Sequence, residues 1–406
     1  LVCVYLFFEY VRPQSIYGVL DVLPWTFSTI ILCLLAFFLE GKKFRVDSIG
    51  DWLLILYSLI VIASTITAYR PDVATSQYNI FFSWVLIYLL IANIVVTERR
   101  YFLFVLLFML FNYKMAQHGA RAWIGMGFGF ERMGVTGTPG WFQNSGEFGV
   151  EMCIFMPIAV FFYYALRRFW QPWKKIIMIT FPIAAALSIL AATSRGALLG
   201  GIAVLLWFLL KSKYKVRALL GGGALIALSM VLLPPEEIAR FRASGSDPTS
   251  LTRLRYWTDA IQITKEHPFL GIGYGNWLVF YRNQYDPTGQ LPHNIFLQAS
   301  AELGYTGFVA FVLLILGTFY INYRTRRLLR ASGESGRFMT YMSHGLDGAL
   351  VSYLVTGFFV TVLYYPFFWI NLAFAVALQR CAQASLKSAS LSRPSPFLPP
   401  SAPHVA

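Results

Sequence analysis

The stretch IIMITFPIAAALSILAATSRGALLGGIAVLLWFLL, Ile176–Leu210, decides the fold. It holds two apolar runs, Ile176–Ala192 and Ala197–Leu210, with one charge between them, Arg195. A membrane-crossing helix needs about 20 apolar residues. Hydrocarbon offers the backbone no water, so a continuous apolar run must close its own hydrogen bonds as a helix. Strands of a membrane barrel would run about 10 residues and alternate apolar with polar. These runs do not alternate, so the stretch reads as two membrane helices joined by a short turn. Lys174 and Lys175 precede it, and Lys211, Lys213, Lys215 and Arg217 follow it. By the positive-inside rule both flanks are cytoplasmic, which puts Arg195 at the outer face.

The rest of the chain repeats this pattern. Of 406 residues, 57% are hydrophobic and only 13% charged, against about 25% charged in a soluble domain. Further apolar runs are Trp25–Leu39, Trp52–Ala63, Ile80–Val96, Ala218–Leu233 and Ile295–Ile321. The expected fold is an all-α polytopic membrane protein with about twelve transmembrane helices. The spans fall at 1–11 (partial), 23–39, 51–68, 79–97, 101–113, 146–166, 174–193, 196–210, 217–233, 292–322, 345–364 and 365–380. "YYPFF" leaves room for only a tight turn between the last two. Residues 1–145 form an N-terminal helical part and 146–381 a core. The Ser/Pro-rich segment 382–406 reads as a disordered cytoplasmic tail. The gap 234–291 is one large external, periplasmic loop containing short helices.

The net charge of +14 is a topology signal rather than a nucleic-acid footprint. Lys42, Lys43, Arg45, Arg99, Arg100, Arg167, Arg168, Arg324–Arg330 and Arg380 recur in alternate gaps and add contact to anionic lipid. Cys3, Cys33, Cys153 and Cys381 show no metal-ligand spacing and read as small apolar filler. There is no phosphate-binding Gly-x-x-x-x-Gly-Lys loop, no Asp-x-Asp pair, no His-Glu-x-x-His and no nucleophile elbow. "GIGYGNW" is no dinucleotide fingerprint. No close carboxylate pair suggests glycoside hydrolysis. No metal or cofactor is expected.

The candidate site residues all lie on the outer side. Arg195 sits at a helix mouth beside Ser194 and Gly196, where the bland reading is a snorkelling arginine. In "SLTRLRYWTDAIQITKEH", Ser250 caps a helix whose Leu254, Trp257, Ile261 and Thr264 share one face. Arg253 lies on its flank and Arg255 roughly opposite. Guanidinium forks suit phosphate oxygens, although lipid-headgroup contact would also explain them. In "LPHNIFLQASAELGYTGF", His293 and Asn294 open the Ile295–Ile321 run. His293, Leu297, Ser300, Gly304 and Gly307 form a narrowing stripe, with Glu302 roughly opposite. His118, His267 and His344 rank lower. Together these groups suggest a lipid-linked anionic substrate. The arginines would neutralise a phosphate leaving group and the imidazole, with an ordinary pKa of about 6.5, would accept a hydroxyl proton.

"TSRGALLGG", "SLTRLRYWTDAIQITKEHPFLGIGYGNW" and "LPHNIFLQASAELGYTGF" resemble, in order, the motifs of the O-antigen ligase and polymerase superfamily. The likeness covers roughly Ala191–Phe311. "FFEYVRPQSIYG" and "FNYKMAQHG" resemble exosortase-associated O-glycosylation ligases. The resemblance implies an inner-membrane glycosyltransferase that moves a glycan from undecaprenyl diphosphate to an acceptor hydroxyl. The acceptor would be lipid A core, protein or another surface molecule. By motif position Arg195 and Arg253 would bind diphosphate, with Arg255 an alternative, and His293 would activate the acceptor; Asn294 and Trp257 would line the site. "WFQNSGEFGVEM" departs from the family's Asn-Pro-Asn-like helix start. A polymerase joining lipid-linked repeats is the second reading. A flippase is the third, although no broken helix or internal repeat is evident.

Overall fold

Caps and prolines set the helix boundaries. In a computed structural model, residues 1–129, 134–232, 235–243 and 245–391 are described. The helices are α1 Val2–Leu6 with a π-helical turn Phe7–Val11, α2 Pro13–Ile16, α3 Trp25–Leu39 and α4 Ile49–Ile66. Then come α5 Pro71–Ile94, α6 Glu98–Gly125, α7 Ser145–Leu166, α8 Pro172–Ala191, α9 Arg195–Lys211 and α10 Lys215–Leu232. The remainder are α11 Pro235–Arg242, α12 Pro248–Glu266, α13 Trp277–Gln284, α14 Ile295–Leu328, α15 Arg337–Gly357 and α16 Pro366–Leu391. Ser48 and Asp51 form a capping box on α4, Ser194 caps α9 and Asp247 caps α12. Prolines sit in the first turn of α5, α8 and α12, where the missing N–H costs nothing.

α7 lies at the centre, packed by α8, α9 and α15. α14 packs on α4, α12, α15 and α16, and α16 also on α5. Exposed Phe38, Leu59, Ile183, Leu206 and Leu316 form an outward apolar surface, which suits lipid.

Seven described helices are long and apolar enough to cross a membrane, against the twelve spans expected. For two of the five others, α15 and α16, the difference has a physical cause. α15 and α16 are walled in by other helices, so they carry polar groups that lipid would not tolerate. Asp347 accepts from Asn322 at 2.8 Å and from Arg326 at 2.6 Å. Arg380, counted above as a cytoplasmic surface charge, is 2% exposed and pairs with Asp51 at 2.8 Å and Asp47 at 2.9 Å. The expected disordered tail begins as helix, because α16 continues to Leu391; residues 392–406 lie outside the described residues. The expected loop 234–291 contains α11, α12 and α13; Pro234 itself lies outside the described residues.

Two expected helices are interrupted. The span expected at 345–364 ends at Gly357, and residues 358–365 run without helix to Pro366. α14 is broken at Gly304, with φ +67° and ψ −173°. That breaks the expected stripe from His293 to Gly307 and overturns the expectation of no broken helix. The turn after α12 lies across the break. The Tyr305 N–H donates to the Pro268 carbonyl at 2.8 Å, and a Cβ on Gly304 would strike the Phe269 carbonyl. A neighbouring backbone thus takes up a hydrogen bond the helix has lost.

Candidate functional site

Four pieces of chain meet at one end of the bundle. They are the start of α9, the α12–α13 unit, the residues leading into α14, and the 358–365 segment. α12 buries Tyr256, Ala260, Ile263 and Thr264. The face read from the sequence was partly wrong, since Leu254 and Ile261 are exposed. Tyr256, Ala260 and Ile263 also repeat at helical spacing, and the tyrosine ring packs edge-on against Tyr281, 5.2 Å between centroids. With Ile272, Trp277 and Phe280 they form a small separate core.

The glycine-rich turn after α12 is a close-packing device. Gly271 and Gly273 take φ of +66° and +107°, where a side chain is strained. The Ile272 and Gly273 N–H groups donate to the carbonyls of Ala301 and Glu302 at 3.0 and 3.1 Å, and Tyr69 N–H donates to Ile272. A Cβ at Gly271 would collide with the Glu302 backbone. The turn therefore locks the short helical piece carrying Glu302 against the end of α4.

His293 stands just before this piece with φ +51°, a region that admits histidine and asparagine more readily than most residues. Its N–H donates to Thr361 Oγ1 at 3.0 Å, and its Nδ1 lies 3.5 Å from the same oxygen. Nε2 is the nitrogen left for a ligand. Burial first, and the Arg253 charge second, push the imidazole down to about 4, below the value expected from the sequence. The ring is therefore neutral at pH 7.

Arg253 reaches the same place from α12. Its Nε is buried without a hydrogen-bond partner among the described residues. Burial, then the Arg195 charge, lower its pKa. Arg195 is held differently. Its guanidinium makes a bidentate pair with Asp247, at 2.9 and 3.2 Å, and reaches Ser250 Oγ at 3.4 Å. Hydrogen bonds from Arg195 and Ser250 hold the Asp247 carboxyl far below its usual range. Gly196, next in the chain, lets Phe359 and Val360 pack on α9, which carries the 358–365 segment across to His293.

The remaining sequence candidates have other placements. Arg255 is 58% exposed, with Asp259 at 3.9 Å and Asp286 at 3.7 Å, and is not brought to His293. Trp257 Nε1–H donates to the Pro292 carbonyl at 2.9 Å, and its ring packs edge-on to Phe358. It pins α12 to the approach to His293. Asn294 is buried and caps α14, its Oδ1 accepting from the N–H groups of Phe296 and Leu297 at 2.9 and 3.1 Å. Asn294→Ala should lower stability by about 1 kcal/mol, read as a lower unfolding temperature in detergent; Asn294→Asp should restore it.

Beside this cluster opens a cavity of about 460 Å3. Thr361 lines it as well as touching His293. Glu302, Gln298, Arg282, Tyr364 and Trp141 form other parts of its wall. Glu302 is 1% exposed. It accepts from the Trp277 N–H at 2.8 Å, from Gln298 and from the Tyr364 hydroxyl. Glu147 accepts from Asn144 at 2.9 Å and from the Tyr365 hydroxyl at 2.6 Å, so the region that departs from the family pattern joins the same wall. Thr361, Tyr364 and Tyr365 were missed because residues 358–365 read as the end of a span and a tight turn. Two tyrosines and a threonine in the gap, with Pro366 just after it, were the available signal.

Two family models match the chain. Residues 1–166 match a family of unknown function, DUF5935. Residues 179–312 match the model described as O-antigen ligase. No curated protein matches the chain. Arg195, Arg253 and His293 all fall inside the second match, so the part of the chain that is similar to O-antigen ligases holds the three groups whose charges act on one another.

Proposed function

We propose that the chain is an inner-membrane ligase. It would transfer a glycan from undecaprenyl diphosphate to an acceptor hydroxyl on the periplasmic face, inverting the anomeric carbon, without metal or nucleotide. The observation that carries this reading is the buried Arg253 Nε, which has no hydrogen-bond partner among the described residues, beside a neutral His293. Such a donor suits a diphosphate oxygen, and a dry site strengthens the contact. Arg195 plays a shared role, because phosphate would compete with Asp247 for its fork. The sugar would occupy the cavity walled by Glu302 and Tyr364.

In the step itself the acceptor oxygen attacks the anomeric carbon. The carbon–oxygen bond to the diphosphate breaks, and the lipid diphosphate leaves with the electron pair. The hydroxyl proton passes to Nε2 of His293. An imidazole near 4 is a weak base, but a bound diphosphate offsets the Arg253 charge and raises its proton affinity.

A polymerase would perform the same bond exchange on a lipid-linked acceptor. The broken α14 is a feature that a transporter could use, yet the Pro268 carbonyl already takes the N–H beyond the break. Purified protein supplied with lipid-diphosphate glycan and an acceptor should form the glycoconjugate in EDTA with no nucleotide. A requirement for metal or nucleotide would sink the reading. A product on free acceptor, rather than on a second lipid-linked unit, would separate ligase from polymerase.

A further inference from the structure

A second cavity, of about 330 Å3, lies among the Val2–Val11 segment, α3 and α5. It shares Ile80 and Trp141 with the first cavity. Trp141 stands edge-on to Trp84 at 5.6 Å and to Tyr365 at 4.9 Å. Trp84 lines the second cavity and Tyr365 the first, so the Trp141 indole borders both where they adjoin. Trp84 Nε1–H also donates to the Tyr364 carbonyl at 3.3 Å, which ties the two walls together.

The polar groups of this cavity are held in special backbone. Glu9 sits in the π-helical turn and is only 3% exposed, and its Oε1 has no hydrogen-bond partner among the described residues. π-Turns of this kind often mark functional positions. Arg12 has φ +48°, and its buried Nε is likewise unpartnered. Its guanidinium presses against Gly140, where any Cβ would collide with it. The Glu9 carboxylate is within reach of the Trp141 indole N–H and of the Arg12 charge. Asn79 and Ser83, one turn apart on α5, face the same space.

A buried polar atom without a partner costs about 1–3 kcal/mol, and a native fold keeps few of them without a reason. The chemistry here narrows that reason. Sugar hydroxyls both donate and accept, and so pair with carboxylate, guanidinium and amide together, while the C–H face of a ring lies on aromatic walls. A phosphate would pair with Arg12 but has no donor to offer Glu9 Oε1. An acyl chain would leave Glu9 and Arg12 unpaired.

We propose that this cavity is a second saccharide subsite, taking a neutral sugar unit of a glycan that passes Trp141 from the reaction cavity. The direction of the glycan rests on the transfer reading above; the binding itself does not. The unit belongs either to the donor glycan or to a glycosylated acceptor.

The test is direct binding of the full chain, purified in detergent, to a printed array of bacterial surface oligosaccharides. Wild type should bind a defined set. Asn79→Ala, a change at an exposed residue, and Ser83→Trp, which fills the cavity, should each weaken that binding at least ~10-fold, or about 1.4 kcal/mol. Unchanged binding in both, or no array binding by wild type, would overturn the subsite. Array binding that is sensitive to these changes, in a protein that performs no transfer, would sink the reaction and keep the subsite. A rise in KM for lipid-linked donor alone in Ser83→Trp assigns the unit to the donor, and a rise for acceptor alone assigns it to the acceptor.

Discussion

Replacing His293 with asparagine should lower glycan transfer by about 10²–10⁴-fold, the usual contribution of a general base. Asparagine is the better probe than alanine because it tolerates the left-handed backbone that His293 adopts. The protein should therefore stay folded and inserted while losing the proton acceptor. Arg253→Gln should lower transfer by roughly 10²–10³-fold, as loss of a transition-state donor does. The two variants also separate by pH. Activity needs neutral imidazole, so kcat/KM of the wild type should fall as pH drops through about 4, the value set by burial and Arg253. Arg253→Gln removes the repelling charge, so its acid limb should move to higher pH. An unmoved limb would mean that His293 is not the titrating base, and full activity in His293→Asn would remove it from the mechanism.

The largest stability effect should come from the other end of the bundle. Arg380 on α16 is 1% exposed at its side chain and Asp51 on α4 equally so. The guanidinium also donates to the carbonyls of Ala92 and Arg45, at 3.0 and 2.8 Å. Tyr88 donates to the second oxygen of Asp51 at 2.8 Å. This network joins α16, α4, α5 and the chain before α4. Arg380→Met leaves a buried carboxylate without its cation and should cost about 3–5 kcal/mol, because removing one partner of a buried pair strands the other. Thermal unfolding in detergent measures it. Arg380→Met with Asp51→Asn should recover much of the loss, since no stranded charge remains. If the double variant is no better than the single, packing rather than charge governs this site.

The sequence was readable where a rule acts locally. Apolar runs and alternating basic gaps yield helices, because hydrocarbon forces each segment to solve its own hydrogen bonding, and the motif order points to the O-antigen ligase likeness that residues 179–312 show. The gathering of Arg195, Arg253 and His293 was legible only as shared sidedness. The face of α12 was misread because two apolar stripes competed and only contact with Tyr281 and its neighbours selects one.

What the amino-acid sequence by itself determined is that this chain is helical, membrane-spanning and equipped at one end with arginines and a histidine. Only the tertiary structure decided their states. It gave Arg195 a carboxylate, left Arg253 Nε without a partner among the described residues, turned Arg255 outward and lowered His293 by burying it. It broke α14 at Gly304 and opened residues 358–365 to carry Thr361 and Tyr364 into the site. Those outcomes depend on groups far apart in the chain, and desolvation and pairing are properties of their meeting rather than of any one segment.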